Sequence, residues 1–404
     1  MAERRVELAD ARRMAGYTQE GLAEALHVER TTVQRWESGH SRPQPYLWPK
    51  LAELLDRTPA ELRGLLGRVD RAQHAPAHDH ADVQSHAHTG TLSQIAEQPT
   101  GPVDPRVIDT FIDLREALVA ADSLLGPGNL VHSAAEQIAN LSRLVSRADP
   151  ATRGRLFEVG ALYAEFCGWL ADDLGKVEDG KAWSRRALEW AHSGGSADVT
   201  GYVLMRMSQQ AQLVGDRAQA STLAYSAMRY DTSVKSVLVR ASLHQQAAHA
   251  CALDGDEGAA LSNIDAAYDL SGRELDERDP YSLSVHCTPV YVTVQRAAVL
   301  GTLGDHLRAL EEYDRVLADW PPDFHREKGL HLARRTLAAA RAGVPDAAVE
   351  SGTAALDIAL GTRSRRTMRE LAKSAAHMRT WGPVAGVEEF LEAVATKGEA
   401  EWVH

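Results

Sequence analysis

Arg30, Thr31, Gln34 and Arg35, within TQEGLAEALHVERTTVQRWESG at residues 18 to 39, are side chains that can read a DNA surface. The two guanidinium groups offer bidentate donors to guanine, the amide and hydroxyl reach other base edges, and the charges suit phosphates. They act together only if one helix turns all four outward. Val33 and Trp36, three residues apart, supply the apolar side that would face inward and fix that orientation.

A second helix must hold the first. Leu22 and Leu26 sit four apart with Ala23 beside Leu22, which gives the preceding segment an apolar edge and a small residue for close approach. Thr18 is its expected N-cap, His27 and Val28 form the turn, and Gly39 ends the outward-facing helix as a C′ glycine. Amphipathic stretches at Tyr46 to Leu55 and Thr58 to Leu66 complete five helices, so residues 1–67 are expected to form a compact all-α domain.

From Arg4 to Leu66 the chain resembles the Xre/Cro family of helix-turn-helix repressors, through the T-Q-E-x-L-A core, the following T-T-V-Q-R-W-E-x-G and a nearby R-P. The resemblance implies that Gln19 contacts backbone phosphate, that Arg30, Thr31 and Arg35 read base edges, and that Gln34 faces nearby backbone. Ser38, His40 and Arg42, at and just beyond the end of the helix, complete the candidate DNA-binding set. It also implies a structural pair between Glu37 and Arg12. Two positions depart from the pattern. His27 stands where a glycine commonly turns the chain, and Glu29 replaces the usual small capping hydroxyl; a carboxylate there can accept from cytosine N4, so Glu29 joins the candidate readers.

Lys and Arg number 10 in residues 1–67 and Asp and Glu also 10, so the domain is neutral and the formal charge of −12 lies wholly beyond it. Such a head should grip DNA weakly alone and need a second copy. Arg30, Arg35, Arg42 and Lys50 fall on the expected DNA side, with Glu20, Glu24, Glu53 and Glu61 elsewhere.

Residues 68–105, rich in Ala, His, Pro and Gly, read as a flexible linker. His74, His78, His80, His86 and His88 cluster there without a cysteine, and compositional drift is favoured over a metal site.

Beyond the linker the chain repeats. Gly175, Gly215, Gly255, Gly304 and Gly343 each follow a helix-like run at spacings of 40, 40, 49 and 39 residues, three of them as Gly-Asp. Seven residues before each stands Gly168, Ser208, Ala248, Ala297 or Thr336, and five after each stands Gly180, Ala220, Ala260, Ala309 or Ala348. Twelve and thirteen after come Ala187-Leu188, Ala227-Met228, Ala267-Tyr268, Val316-Leu317 and Ala355-Leu356, whose larger member should fill the groove to the next unit. The period is a helical hairpin. A sixth copy is expected to turn at Trp381 and a degenerate early one at Gly128, while residues 271–287 are an insertion, either a longer loop over the groove or a longer helix pair.

Residues 106–404 thereby resemble the tetratricopeptide repeat, although the copies run near 40 residues where about 34 is usual and lack most of its aromatic consensus. Stacked hairpins of this kind form an α-superhelix whose first helices line a concave groove. Candidates facing it are Tyr202 and Gln209, Gln245 and His249, and Tyr291; Arg206, Gln246, Gln295 and Arg334 form a polar column nine residues before each glycine. Amides and guanidinium groups in a row suit peptide backbone or a carboxylate.

Phosphate-loop, dinucleotide-binding, zinc-protease and serine-nucleophile motifs are absent, so no enzyme activity, cofactor or metal site is expected. Asp172 and Asp173, adjacent on a helix, are expected at the surface, and the three cysteines, Cys167, Cys251 and Cys287, as buried thiols. No apolar run approaches membrane-spanning length and the charged start lacks a signal-peptide core, which points to the cytoplasm. The expected molecule is all-α: a five-helix helix-turn-helix head on a superhelix, acting as a homodimeric transcription regulator on double-stranded DNA. Its groove would sense a peptide, small molecule or protein partner. The alternative is a repeat-based interaction adaptor with little specific DNA binding. The Ala- and Arg-rich composition also looks like that of high-GC actinobacteria.

Overall fold

The computed structural model describes residues 6–65 except 27, 29, 39–42, 44–47, 59–60 and 63–64, and residues 102–400 except 129, 274–278, 322–323, 363 and 382–383. These residues are helical wherever they are regular, and the chain divides into two compact units, Met1–Val83 and Gln84–His404.

In the first unit α1 (Val6–Met14), α2 (Gln19–Ala25), α3 (Arg30–Glu37) and α4 (Trp48–Leu54) surround a small apolar core. Leu8, Leu22, Leu26, Val33, Trp36, Leu51, Leu55 and Leu62 are all buried in it. The Thr18 hydroxyl caps α2 by accepting from the Gly21 N–H at 2.9 Å. Of the expected fifth helix, Glu61, Leu62 and Leu65 are described and helical. Its start carries a reciprocal cap: the Thr58 N–H donates to Glu61 Oε2 at 2.8 Å and the Glu61 N–H to Thr58 Oγ1 at 3.3 Å.

The second unit begins with α5 (Val107–Leu125) and α6 (Leu130–Val145), joined through Gly126 and Gly128. Six hairpins follow: α7 (Pro150–Asp173) with α8 (Val177–Gly194), α9 (Ala197–Leu213) with α10 (Arg217–Met228), α11 (Val237–Asp254) with α12 (Glu257–Ser271), α13 (Pro289–Leu303) with α14 (His306–Leu317), α15 (His325–Ala342) with α16 (Pro345–Thr362), and α17 (Arg365–Met378) with α18 (Val387–Ala400). Trp381 lies in the last turn, as the spacing predicts.

The repeat columns have physical roles. All five turn glycines hold φ between 74° and 94°, which disfavours any side chain. In the Gly-Asp copies the aspartate then caps the second helix: Asp216, Asp256 and Asp305 accept from the N–H groups of Gln219, Ala259 and Arg308 at 3.1, 2.9 and 3.2 Å. The small-residue columns are buried in every copy, and Ser208 Oγ donates to the Ala220 carbonyl at 2.7 Å where the two columns meet. Tyr268 departs from its column, being 44% exposed where Leu317 and Leu356 are buried; it precedes the insertion, so no hairpin follows it directly.

The array also closes on itself. Arg326 on α15 donates to Asp122 Oδ1 of α5 at 2.8 Å and pairs with Asp173 of α7, all three being buried. Arg366 on α17 stacks over Trp169 of α7, 4.2 Å from the ring centre. Asp172 and Asp173 are therefore buried, contrary to the surface position expected for them. Helix α7 is covered by its own hairpin, by the next one and by the returning end of the array, so adjacent residues on different sides are both enclosed.

The described end of the insertion is a loop that packs inward. Tyr281 and Leu283 join the apolar cluster of Val159, Tyr163, Tyr202 and Leu243, and the Tyr281 hydroxyl donates to Glu158 of α7 at 2.5 Å. Ser284 and Cys287 then meet Ser242 and Gln245 of α11.

Candidate functional sites: the outer row of α3 and the inner face of the repeats

Helix α3 is anchored from one side and open on the other. Val33 and Trp36 are 1% and 2% exposed, whereas Arg30, Thr31, Gln34 and Arg35 all face solvent. Orientation is fixed by a buried polar clamp at its end. Arg12 Nε donates to Glu37 Oε1 at 2.6 Å, Arg12 Nη1 to the Tyr17 carbonyl at 2.7 Å, and the Gln19 amide to Glu37 Oε2 at 2.7 Å. One carboxylate thus ties α1, the start of α2 and the end of α3 together. The pair between Arg12 and Glu37 is the one the sequence pattern implies.

Gln19 opens α2 with one of its two amide hydrogens committed to Glu37. The half-buried Ser38 hydroxyl donates to the Arg35 carbonyl at 3.1 Å, closing the last turn of α3. Glu29, His40 and Arg42 lie outside the described residues, as do His27, Gly39 and the five linker histidines. Lys50 is exposed and bonded to Glu53 at 3.0 Å, so its positive charge is partly offset.

The first helices of the hairpins put polar and aromatic groups on the inside of the array. Trp169 lies between two guanidinium groups, Arg206 at 4.0 Å and Arg366 at 4.2 Å from its ring centre. Arg206 donates to Glu165 at 2.5 Å and to Gln209 Oε1 at 2.8 Å, and Glu165 also faces Arg115 at 3.7 Å. Burial disfavours the Arg206 cation, but Glu165 outweighs it and raises its pKa.

Farther along, His249 Nε2 meets Gln295 Oε1 at 3.0 Å. Tyr291 sits edge-on to His286 and His331, with ring centres 5.0 and 6.0 Å apart, and Trp320 adds a further ring 5.1 Å from His331. Burial pushes His249 and His286 down to about 4, aided by Arg334 and Arg206 respectively, so both rings are neutral at physiological pH.

The nine-before column thus divides. Arg206, Gln295 and Arg334 belong to this inner cluster, while Gln246 bridges repeats by donating to Ser208 Oγ at 2.9 Å. Gln245 is buried against Cys287, and Tyr202 is buried with its ring in the apolar cluster and its hydroxyl beside Arg115, Glu165 and Arg206. Trp169, His331 and Arg366 are additional members. Trp169 was findable: it stands six residues before Gly175, as Gln209 and His249 do before their glycines. Arg366 was not, because its place depends on closure of the array.

The buried thiols of Cys167 and Cys287 are pushed up to about 12 by burial, so neither is a thiolate nucleophile at neutral pH. Among the described residues no helix is long and apolar enough to cross a membrane.

Residues 8–62 match the family model described as Helix-turn-helix, which spans α1 to Leu62 and includes the clamp and the exposed row. That match supports a DNA-binding regulator in the general sense. No curated protein and no solved structure matches the chain.

Proposed function

We propose that the protein is a sequence-specific transcriptional regulator of the Xre type, whose head reads operator DNA through Arg30, Thr31 and Arg35. The observation that carries this reading is the division of α3 into a locked inner side and a solvent-facing Arg-Thr-Gln-Arg row. A helix so anchored presents its donors to the major groove without reorganisation. Gln34 and Ser38 border the same surface.

The repeat domain, of tetratricopeptide type, pairs two chains and sets their recognition helices about 34–36 Å apart, one turn of DNA. A ligand on its inner face shifts the array between closed and opened shapes, which requires different affinities for the two. Arg326, bridging α15 to α5 and α7, is the contact such a change would break or keep.

Selection of genomic fragments by the full-length protein, followed by footprinting, tests the reading. The expected result is a pseudo-palindrome with half-sites one turn apart. Absence of any preferred fragment at low and moderate salt would favour the adaptor alternative instead.

A further inference from the structure

We propose that the inner face of the repeats binds a small ligand bearing an oxyanion, a carboxylate or phosphate, held by Arg334 and Arg366 between α11, α13, α15 and α17. The inference rests on the reading that the repeat domain senses a ligand and adds that ligand's chemistry.

Counting charges along the inner face shows where one is missing. Arg326 has Asp122 and Asp173, Arg206 and Arg115 share Glu165, and Glu370 is taken by Lys373 at 2.7 Å. Arg334 is left without a carboxylate, and Arg366 has only a long contact to one. Arg366 is 6% exposed, its nearest carboxylate, Glu327, stands 4.0 Å away, and its Nε is buried without a partner. Arg334 is half-buried, and among the described residues no carboxylate comes within 4.0 Å of it. Its surroundings are His249, His331, Tyr291, Tyr313 and Arg366, none of which carries negative charge at neutral pH. Burial lowers Arg366 to about 10; Glu327 opposes it, and the neighbouring Arg326 and Arg334 add to the lowering. Buried cations left this way are costly unless a counter-charge arrives.

Two further atoms point to the same place. The buried Nδ1 atoms of His249 and His331 have no hydrogen-bond partner. In His249 the Nε2 faces Gln295 Oε1 and so carries the proton, leaving Nδ1 a bare acceptor. An oxyanion takes the guanidinium donors, and a hydroxyl beside it satisfies such an acceptor. Tyr291, Trp320 and Trp169 wall the region with rings.

Thermal melting of the full-length protein with citrate or inorganic phosphate at about 10 mM, at ionic strength matched with chloride, tests the site. Wild type is expected to gain about 2 °C or more with at least one probe, Arg334→Gln to gain nothing, and Arg308→Gln, an exposed change on α14, to gain as wild type does. Comparing variants cancels the general stabilisation these anions give every protein. Without probe, Arg334→Gln should melt at or above wild type, because it removes an uncompensated cation. A drop of several degrees would make Arg334 structural and overturn the proposal. So would equal gains in Arg334→Gln and wild type, no gain with either probe, or stabilisation only by a peptide with a free C-terminus and not by its amidated form. Melting involves no DNA, so failure here leaves the DNA reading standing, and failure of that reading leaves this site standing.

Discussion

The head and the inner face of the repeats both bury arginine, and they treat it in opposite ways. In the head, Arg12 is matched by Glu37 and the Tyr17 carbonyl, Gln19 donates to the same carboxylate, and the arginines of α3 are exposed at the surface. In the repeats, Arg326 has two carboxylates within reach, Arg366 only a 4.0 Å contact to Glu327, and Arg334 none among the described residues. The difference separates charge that completes a fold from charge that awaits a partner. A satisfied ion pair makes a rigid platform, and an unsatisfied one marks a place where binding can change stability.

The largest effect expected from this contrast comes from removing a matched arginine. Arg326→Ala strands Asp122 and Asp173 in the interior and should cost about 3–5 kcal/mol in chemical denaturation of the repeat domain. Glu37→Ala does the same in the head, leaving Arg12 with only the Tyr17 carbonyl, and should cost about 3 kcal/mol together with DNA binding. A loss below about 1 kcal/mol in either would erase the distinction between matched and unmatched groups.

A titration sharpens the inner side of the comparison. His249 has its folded pKa lowered to about 4 by burial and then by Arg334, from an ordinary value of 6.5. The unfolded chain therefore binds more protons between those values, so the contribution of neutral His249 is full above about 6.5 and is lost as pH falls toward 4. Relative to His249→Gln, wild type should lose on the order of 1–3 kcal/mol across that window. Differencing against the variant removes the opposite trend of Asp172, which burial pushes up to about 6.

The smallest effect on stability belongs to the outer row. Arg30→Ala and Arg35→Ala should leave melting within about 0.5 kcal/mol of wild type, since both side chains are exposed.

Much of this was legible in the sequence because it is local. The inward Val33 and Trp36, the Thr18 cap, the glycine turns and the small-residue columns follow from helical period and backbone sterics, and each is in place. The pair of Arg12 with Glu37 came from the resemblance, and it is observed. What the pattern did not show depends on the summed rotation of many repeats. Burial of Asp173 against Arg326, the stack of Arg366 on Trp169, and the bond of Tyr281 to Glu158 all join residues more than 100 positions apart. Gln246 differs from the rest of its column for a smaller reason: its helix also packs on the preceding hairpin, where Ser208 Oγ accepts from it.

The most direct test of the central claim is a polarisation titration of the full-length protein on its selected operator, comparing wild type with Arg30→Ala and Arg35→Ala and melting each sample in parallel. The account predicts specific binding weakened by about 1–3 kcal/mol per substitution, roughly 5- to 150-fold, with melting unchanged. Unaltered operator affinity in both variants would contradict it.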